Sequence, residues 1–217
     1  MREPSLWEIQ KQKNPGHSRW YIERFETMRA NGADLDGEAR TIDAMTHRSS
    51  AILDAGCGPG RVGGELARRG HQVVGVDVDP ELVEQANRDH PSATWLTGDL
   101  AELGSVLPAE SLGTFDVIVC AGNVMTFLAP STRRAVLEGF RTVLTPGGRA
   151  AIGFGGGRGY AFEDYFSDAE AAGLEPSLTL GTWDLEPFDQ ESNFLVSILR
   201  KPVNPANDQG QRTSLLS

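Results

Sequence analysis

The chain has 217 residues, an apolar fraction of 39% and a formal net charge of −10 at pH 7. A chain of this length favours one domain with its own hydrophobic core. It contains no run of about 18 or more apolar residues, so we expect no membrane span. Residues 1–8 lack the apolar stretch that is typical of a signal peptide. The negative charge argues against a protein that holds nucleic acid through phosphate contacts and favours a neutral or cationic small-molecule partner.

The first 48 residues are predicted to comprise an N-terminal extension and the helical cap of a single domain that spans residues 18–200. Residues 1–17 are polar and contain Pro4 and Pro15, so we expect an N-terminal extension with little regular structure. Residues 18–48 are predicted to form a helical cap of two helices, about 18–32 and about 36–46, with Ser18 as the N-cap of the first. We expect this cap to fold over a ligand crevice.

Residues 50–200 alternate between short apolar runs and helical patterns. The predicted strands are about 51–54, 72–77, 93–96, 115–120, 149–154, 177–183 and 193–199, and the main helices about 62–69, 80–89, 131–144 and 162–172. This alternation predicts an α/β fold with a mainly parallel sheet and helices on both faces, and the last two runs predict a hairpin at the sheet edge. Residues 201–217 are polar and are predicted to form a disordered tail.

A glycine-rich turn follows the first strand of this core. The strand ends at Asp54, and Gly56, Gly58 and Gly60 then alternate along the chain. Glycines allow positive φ angles and a close approach of a ligand to the backbone, and the next helix directs N–H groups toward that ligand. A dinucleotide fingerprint needs a third glycine where this chain has Arg61, so an NAD site is disfavoured. The turn predicts an adenosine site whose acid suits a cationic or hydroxyl group.

Polar residues also follow the next three strands. Asp77 ends the second strand about 20 residues after the turn, where folds of this kind place the acid that binds a ribose. Asp79 is interpreted as the N-cap of the helix that begins at Pro80. The third strand is followed by Asp99 and the fourth by Asn123. Because ligands bind beyond the carboxyl ends of parallel strands, these residues are expected to share one crevice.

The glycine turn and the residues at the other strand ends together resemble the class I S-adenosylmethionine-dependent methyltransferases of small-molecule type. The resemblance covers roughly residues 50–200. It implies a doubly wound, seven-stranded Rossmann-like sheet that is mainly parallel, with an antiparallel last strand inserted beside the fifth. It also implies S-adenosyl-L-methionine as the cofactor and S-adenosyl-L-homocysteine as the product.

Residue by residue, the resemblance assigns cofactor contacts at the four strand ends. The glycine turn faces the methionine and ribose parts, Asp77 accepts from the ribose hydroxyls, and Asp99 accepts from the adenine amino group. The Leu100 N–H donates to the adenine ring, and Asp54 orients the turn or meets the ammonium group through water. The full set of implied cofactor-binding residues is Asp54, Gly56, Cys57, Gly58, Gly60, Arg61, Asp77, Val78, Asp99, Leu100, Cys120 and Ala121.

The resemblance further implies transfer of a methyl group to a small-molecule acceptor by in-line displacement. The protein then mainly has to align the acceptor, and a general base is needed only if the acceptor starts protonated. Asn123 is the expected polar residue beside the acceptor, and His17 and Tyr21 of the cap are further catalytic candidates. Amino-methylating nucleic acid enzymes carry two prolines after the acid or asparagine, where this chain has Val124 and Met125.

Two alternatives remain open: a non-catalytic module that binds S-adenosylmethionine or S-adenosylhomocysteine, and an NAD-dependent oxidoreductase. The two cysteines, Cys57 and Cys120, are too few for a disulfide framework, so we expect a reduced, cytoplasmic protein. No Cys/His spacing predicts a metal site. The expected assembly is a monomer or a homodimer.

Overall fold

In the computed structural model, which describes residues 2–203, a mixed sheet of seven strands forms the centre of the fold. The strands are β1 (Ala51–Ala55), β2 (Gln72–Asp77), β3 (Thr94–Thr97), β4 (Phe115–Cys120), β5 (Leu144–Gly155), β6 (Glu175–Leu180) and β7 (Phe194–Arg200). Their order across the sheet is β3-β2-β1-β4-β5-β7-β6. Strands β1 to β5 pair in parallel, and β7 lies antiparallel between β5 and β6. The predicted seven-stranded, Rossmann-like sheet is confirmed.

Nine α-helices accompany the strands within the described residues. They are α1 (Leu6–Lys13), α2 (His17–Ala30), α3 (Gly37–Met45), α4 (Arg61–Arg68), α5 (Pro80–Asp89), α6 (Leu103–Val106), α7 (Val124–Phe127), α8 (Arg133–Val143) and α9 (Phe162–Ala171). None of the helices in residues 2–203 combines the length and apolarity that crossing a membrane requires.

Alternate residues of the central strands pack into cores on opposite faces of the sheet. Leu53 and Ile118 contact the core that α8 and α9 cover, whereas Ile52 and Val119 contact the core that α3 and α4 cover. Successive side chains of a strand point to opposite faces, so a continuous apolar run is what a strand covered on both sides requires. The two cores hold the sheet rigidly and thereby fix the positions of the loops that follow the strands.

The strand order reverses between β1 and β4, because the chain leaves β1 toward β2 on one side and later places β4 on the other. This reversal separates the loops at the carboxyl ends of the two strands and opens a crevice between them. The glycine turn after β1 and Gly122 after β4 therefore border the same opening.

Residues before His17 contain a helix, so the prediction that they lack regular structure is wrong. Helix α1 begins with a capping box, in which the Ser5 hydroxyl accepts from the Glu8 backbone N–H at 3.2 Å and the Glu8 carboxylate accepts from the Ser5 N–H at 2.8 Å. This motif satisfies two backbone donors that would otherwise lack a partner. It supports a helix even though none of the α1 residues is buried.

Other local predictions also need correction. Ser18 is not an N-cap: it lies inside α2, and its hydroxyl donates to Asp79. Strand β5 begins at Leu144, earlier than predicted, and α7 was not anticipated. The predicted tail, residues 201–217, lies outside the described residues from position 204 onward.

Candidate active site

The glycine turn joins β1 to α4 with three residues in the left-handed region. Gly56, Gly58 and Gly60 have φ angles of 76°, 55° and 80°. At Gly56 a side chain is excluded by packing as well, because an added Cβ atom would lie 2.4 Å from Cγ2 of Val124. Val124 begins α7, which follows β4, so this glycine lets the β1 and β4 loops approach each other closely. The turn thus defines one side of the crevice.

Asp54 links the end of β1 to the start of α4. Its side chain is nearly inaccessible, with 3% of the residue exposed, and its Oδ2 atom accepts from the Gly63 N–H at 2.8 Å. Burial raises the pKa of this carboxyl to about 7, although the Gly63 N–H and the nearby Arg61 favour the ionised form. Near neutral pH the group therefore lies close to the midpoint of its titration.

Asp77 connects the end of β2 to the glycine turn. Its Oδ2 atom accepts from the Gly58 N–H at 2.9 Å, and its Oδ1 atom accepts from the Asp79 N–H at 2.9 Å. Burial raises its pKa to about 6 despite these two bonds. The carboxylate holds two loops in register, and each of its oxygens keeps a further lone pair for another donor.

Asp99 follows β3 and also uses both of its oxygens. Its Oδ1 atom accepts from the Ala101 N–H at 2.8 Å, and its Oδ2 atom lies 2.7 Å from Nε of Arg2. Arg2 is bound in turn by Glu8, with two N–H to oxygen distances of 2.8 Å. The residues that precede α1 are thereby attached to the end of β3.

These strand ends surround a cleft with about 660 Å³ of empty space, part of which is open to solvent. Its walls come from the strand ends, from α7 and from the N-terminal helices. The lining residues are Ser5, Trp7, Tyr21, Gly56, Gly58, Asp77, Val78, Leu82, Asp99, Leu100, Gly122, Val124, Phe127 and Leu128.

A second cleft of about 390 Å³ lies next to the first and shares the glycine turn and Tyr21 with it. It is lined by Tyr21, Phe25, Asp54, Gly56, Cys57, Gly58, Pro59, Arg61, Val62, Ala121, Gly122 and Val124. Ten of the twelve predicted cofactor-binding residues line one of the two clefts; Gly60 and Cys120 line neither. Cys120 is fully buried in the core, where burial strongly raises the pKa of its thiol.

Arg61 fixes the cap to the core. Its guanidinium binds Glu38 of α3 through two hydrogen bonds, donates to the Leu35 carbonyl, and lies 5.4 Å from the ring centre of Phe25. Burial opposes its charge, but Glu38 outweighs that effect and keeps the pKa of Arg61 above its ordinary value. Both of the charged partners are largely shielded, so this pair orients the wall of the second cleft.

The three predicted catalytic residues occupy different environments. Tyr21 lines both clefts, and burial raises the pKa of its hydroxyl. Asn123 has a positive φ of 65°, which asparagine tolerates well, and its Oδ1 atom accepts from the Gly155 N–H at 2.8 Å, joining the ends of β4 and β5. His17 lines neither cleft; its ring lies against those of Trp7 and Trp20.

Sequence reasoning missed the contribution of α1. Ser5 and Trp7 line the larger cleft, and Asp79 holds α1 in place in addition to capping α5, where it accepts from the Glu81 N–H at 3.0 Å. The Ser-x-x-Glu spacing of Ser5 and Glu8 was the available signal for this helix.

Within residues 2–203, no group of three or more His, Cys, Asp or Glu side chains is arranged to hold a metal ion.

Comparison with known proteins places this geometry in a family. Residues 52–148 match a family model described as a methyltransferase domain. A crystal structure of a TehB-like SAM-dependent methyltransferase from Corynebacterium glutamicum is 48% identical, covers 87% of this chain and 100% of its own, and superposes with a TM-score of 0.81.

Curated relatives match over shorter segments. Magnesium-protoporphyrin O-methyltransferase of Rhodobacter capsulatus is 38% identical over 92 residues, which are 40% of this chain and 38% of that protein. Ubiquinone biosynthesis O-methyltransferase of Paraburkholderia xenovorans is 32% identical over 109 residues, 49% of this chain and 45% of that protein. The chain thus spans less than half the length of these two relatives. The full-length match to the Corynebacterium structure shows that the chain belongs to the S-adenosylmethionine-dependent methyltransferases, whose cofactor is S-adenosylmethionine.

Proposed function

We propose that this protein is an enzyme that transfers a methyl group from S-adenosylmethionine to a small-molecule acceptor. The observation that carries the proposal is that the glycine turn, Asp77 and Asp99 line one cleft at the carboxyl ends of β1, β2 and β3. That edge of an open α/β sheet is where ligands bind. When bound, the cofactor supplies a methyl group on a sulfonium, so the protein itself needs no signature nucleophile.

The residues present fit this cofactor. Gly58 and Gly122 line the larger cleft, and a Cβ atom added at either position would meet only Tyr21 within 4 Å. The space in front of both glycines is therefore open, and a side chain there would occupy it. Asp77 and Asp99 add carboxylate acceptors to the same walls, which suits the hydroxyl and amino donors of an adenosine. Leu82 and Leu100 add apolar surface for the base.

The proposed roles follow the positions of these side chains. Asp77 binds the ribose hydroxyls, and Asp99 with the Leu100 N–H binds the adenine. Asp54 and Ala121 line the second cleft, which we assign to the methionine end and to the acceptor. Tyr21 borders both clefts and is therefore the side chain that we place between the cofactor and the acceptor. Asn123 acts as a positioning residue that holds the β4 and β5 loops together.

A small acceptor is supported by the walls of the second cleft and by the net charge of the chain. Phe25 and Tyr21 of α2 form part of the wall of this cleft, which has about 390 Å³ of empty space, part of it open to solvent. A net charge of −10 does not favour the phosphate contacts that nucleic acid substrates require. Both of the curated relatives named above are O-methyltransferases of small molecules by name. An oxygen nucleophile is the corresponding expectation for this chain.

The first experiment is calorimetric titration with S-adenosylhomocysteine, using NAD as the control ligand. We expect micromolar binding of S-adenosylhomocysteine and none of NAD. Release of S-adenosylhomocysteine from S-adenosylmethionine is then measured against a panel of hydroxyl, amine and thiol acceptors. A folded protein that does not bind S-adenosylhomocysteine contradicts the proposal, and binding without turnover on any acceptor favours a non-catalytic binding module.

A further inference from the structure

Helix α1 covers the cofactor cleft although it belongs to neither core of the sheet. Ser5 and Trp7 line the larger cleft. The Trp7 ring lies 5.3 Å from that of Tyr21 and 5.8 Å from that of Phe127, measured between ring centres, and both neighbours line the same cleft. Trp7 therefore completes an aromatic wall that α2 and α7 begin.

The Asp79 carboxylate holds α1 in this position. Its side chain is completely inaccessible, with Oδ1 2.6 Å from Nζ of Lys11 and Oδ2 2.8 Å from Nε1 of Trp7. The Ser18 hydroxyl of α2 donates to the same Oδ2 atom at 2.5 Å. One buried acid thus gathers donors from α1 and α2.

Asp79 is also joined to the proposed ribose acid. Its backbone N–H donates to Oδ1 of Asp77 at 2.9 Å, and the two residues lie on the same loop after β2. The attachment of α1 and the orientation of Asp77 therefore depend on one short segment. A second attachment joins Arg2 to Asp99, the residue proposed to bind adenine.

Polar contacts, rather than core packing, hold α1 against the rest of the protein. None of its residues is buried. Segments with few buried apolar contacts open at a lower free energy than the core does. Because α1 forms a wall of the cleft and has this weak attachment, its position can control how fast a ligand leaves.

We propose that Trp7 is a cofactor-contacting residue and that Asp79 is the positioning residue that latches α1, through Trp7 and Lys11, over the bound cofactor. This inference rests on the proposed function. Closure of α1 retains the cofactor during turnover, and release of the Asp79 contacts precedes its exchange.

The test compares variants that remove single latch contacts. Lys11→Met keeps the aliphatic stem and removes the ammonium, while Trp7→Phe keeps an aromatic wall and removes the Nε1 donor. Lys13→Met makes the same change at an exposed position of the same helix and is the control. Dissociation of tritiated S-adenosylhomocysteine is followed after a chase with unlabelled ligand, and amide hydrogen exchange of α1 is measured with and without ligand.

We expect both of the latch variants to release the ligand about 3- to 10-fold faster than the wild type, because each loses one hydrogen bond to the Asp79 carboxylate. Lys13→Met should match the wild type, and ligand should slow amide exchange in α1 of the wild type. Trp7→Ala, which also removes the wall, should weaken affinity more than Trp7→Phe does.

Equal release rates in the wild type, Lys11→Met and Trp7→Phe overturn the latch. Amide exchange in α1 that does not respond to ligand overturns the contact with Trp7. Both results require a wild-type protein that binds S-adenosylhomocysteine, so they differ from failure of the proposed function, in which the wild type itself does not bind.

Discussion

The larger cleft, which we propose to hold the cofactor, has one wall made of strand ends and another made of the N-terminal helices, and different interactions hold the two. At the strand ends, the Asp77 carboxylate accepts from backbone N–H groups of two loops. The Asp54 carboxylate, which lines the adjoining second cleft, accepts from the N–H of Gly63 in α4. The Asp54 bond is buried and the two Asp77 bonds are partly buried. The strands that carry these acids are covered on both faces. This wall is preorganised by the fold itself.

The N-terminal wall depends on contacts between side chains that are distant in sequence. Trp7 and Lys11 bind Asp79, and Arg2 binds Asp99. Helix α1, which carries two of these contacts, buries none of its residues. Under the proposed roles, the rigid wall would supply specificity for the ligand, and the wall held by side-chain contacts would control access to it.

Gly56→Ala should have the largest effect because it disrupts the rigid wall at its closest contact. The added Cβ atom would lie 2.4 Å from Val124, at a φ of 76° that side chains rarely adopt. Overpacking and left-handed strain together should lower the free energy of unfolding by about 2–4 kcal/mol. Chemical denaturation measures this loss.

Gly58→Ala is the matched control, because its φ is also positive but its nearest neighbour, Tyr21, lies 3.7 Å away. It should cost about 1–2 kcal/mol of stability and should mainly weaken binding of S-adenosylhomocysteine. Adding Val124→Ala to Gly56→Ala should recover part of the lost stability. Equal stability losses at the two glycines would show that packing against α7 does not matter.

Asp77→Ala should have the next largest effect, and it falls on binding. The change removes the proposed acceptor of the ribose hydroxyls and leaves the N–H groups of Gly58 and Asp79 without their partner. A hydrogen bond to a charged group contributes about 1.5–3 kcal/mol, so affinity for S-adenosylhomocysteine should fall about 10- to 100-fold. Calorimetry measures the affinity, and Asp164→Ala, at an exposed position of α9, is the control. Unchanged affinity in a folded Asp77→Ala protein argues against the assigned site.

The rigid wall is also the part that could be predicted from the sequence. The bounds of β2, β4 and α5 agree with the predicted ones, because each combines an apolar run or helical pattern with a clear stop or start signal such as Pro80. Asp54 and Asp77 lie at the carboxyl ends of β1 and β2, Asp99 follows β3, and parallel strands bring these ends to one edge. Local patterns and one topological rule were therefore sufficient to predict which residues line this wall.

The N-terminal wall could not be predicted in the same way. The partner of Ser18 is Asp79, 61 residues away, so the hydroxyl that resembled an N-cap serves a tertiary contact instead. Helix α1 has no apolar stripe that a core would require, and only its capping box marked it. The Arg2 and Asp99 pair depends on where α1 docks, which no local pattern specifies.

Asp54 should make ligand binding depend on pH near neutrality. Its pKa is raised to about 7 by burial, with Arg61 opposing the shift and Asp77 and Glu38 adding to it. The ionised form should attract the ligand ammonium, so affinity for S-adenosylhomocysteine should increase by up to about 3-fold between about pH 6.5 and about pH 7.5, as the ionised fraction of Asp54 rises.

Asp54→Asn tests this assignment, because the amide oxygen can still accept from the Gly63 N–H while the titrating group is removed. The variant should bind more weakly at the upper pH, and its affinity should change little across the interval. If the variant keeps the full pH dependence of the wild type, the titration belongs to a group other than Asp54. Asp77, whose pKa is raised to about 6, is then the first candidate.

Glu8→Gln should have the smallest effect and should be confined to the N-terminal wall. The Arg2 hydrogen bond, aided by the N–H and hydroxyl of Ser5, lowers the pKa of Glu8 to about 2 against the opposing effect of burial. A carboxyl with a depressed pKa stabilises the folded form above its ordinary pKa of 4.5 and loses that contribution as pH falls toward 2. Glutamine should therefore lower the amide-exchange protection of α1 about 2- to 5-fold at neutral pH and leave the global melting temperature unchanged. In the wild type, protection of α1 should decline below about pH 4.5, and the variant should not show this decline. Identical protection of α1 in both proteins at neutral pH would mean that the Arg2 and Glu8 pair does not hold this wall, and that the contacts of Asp79 and Asp99 are sufficient.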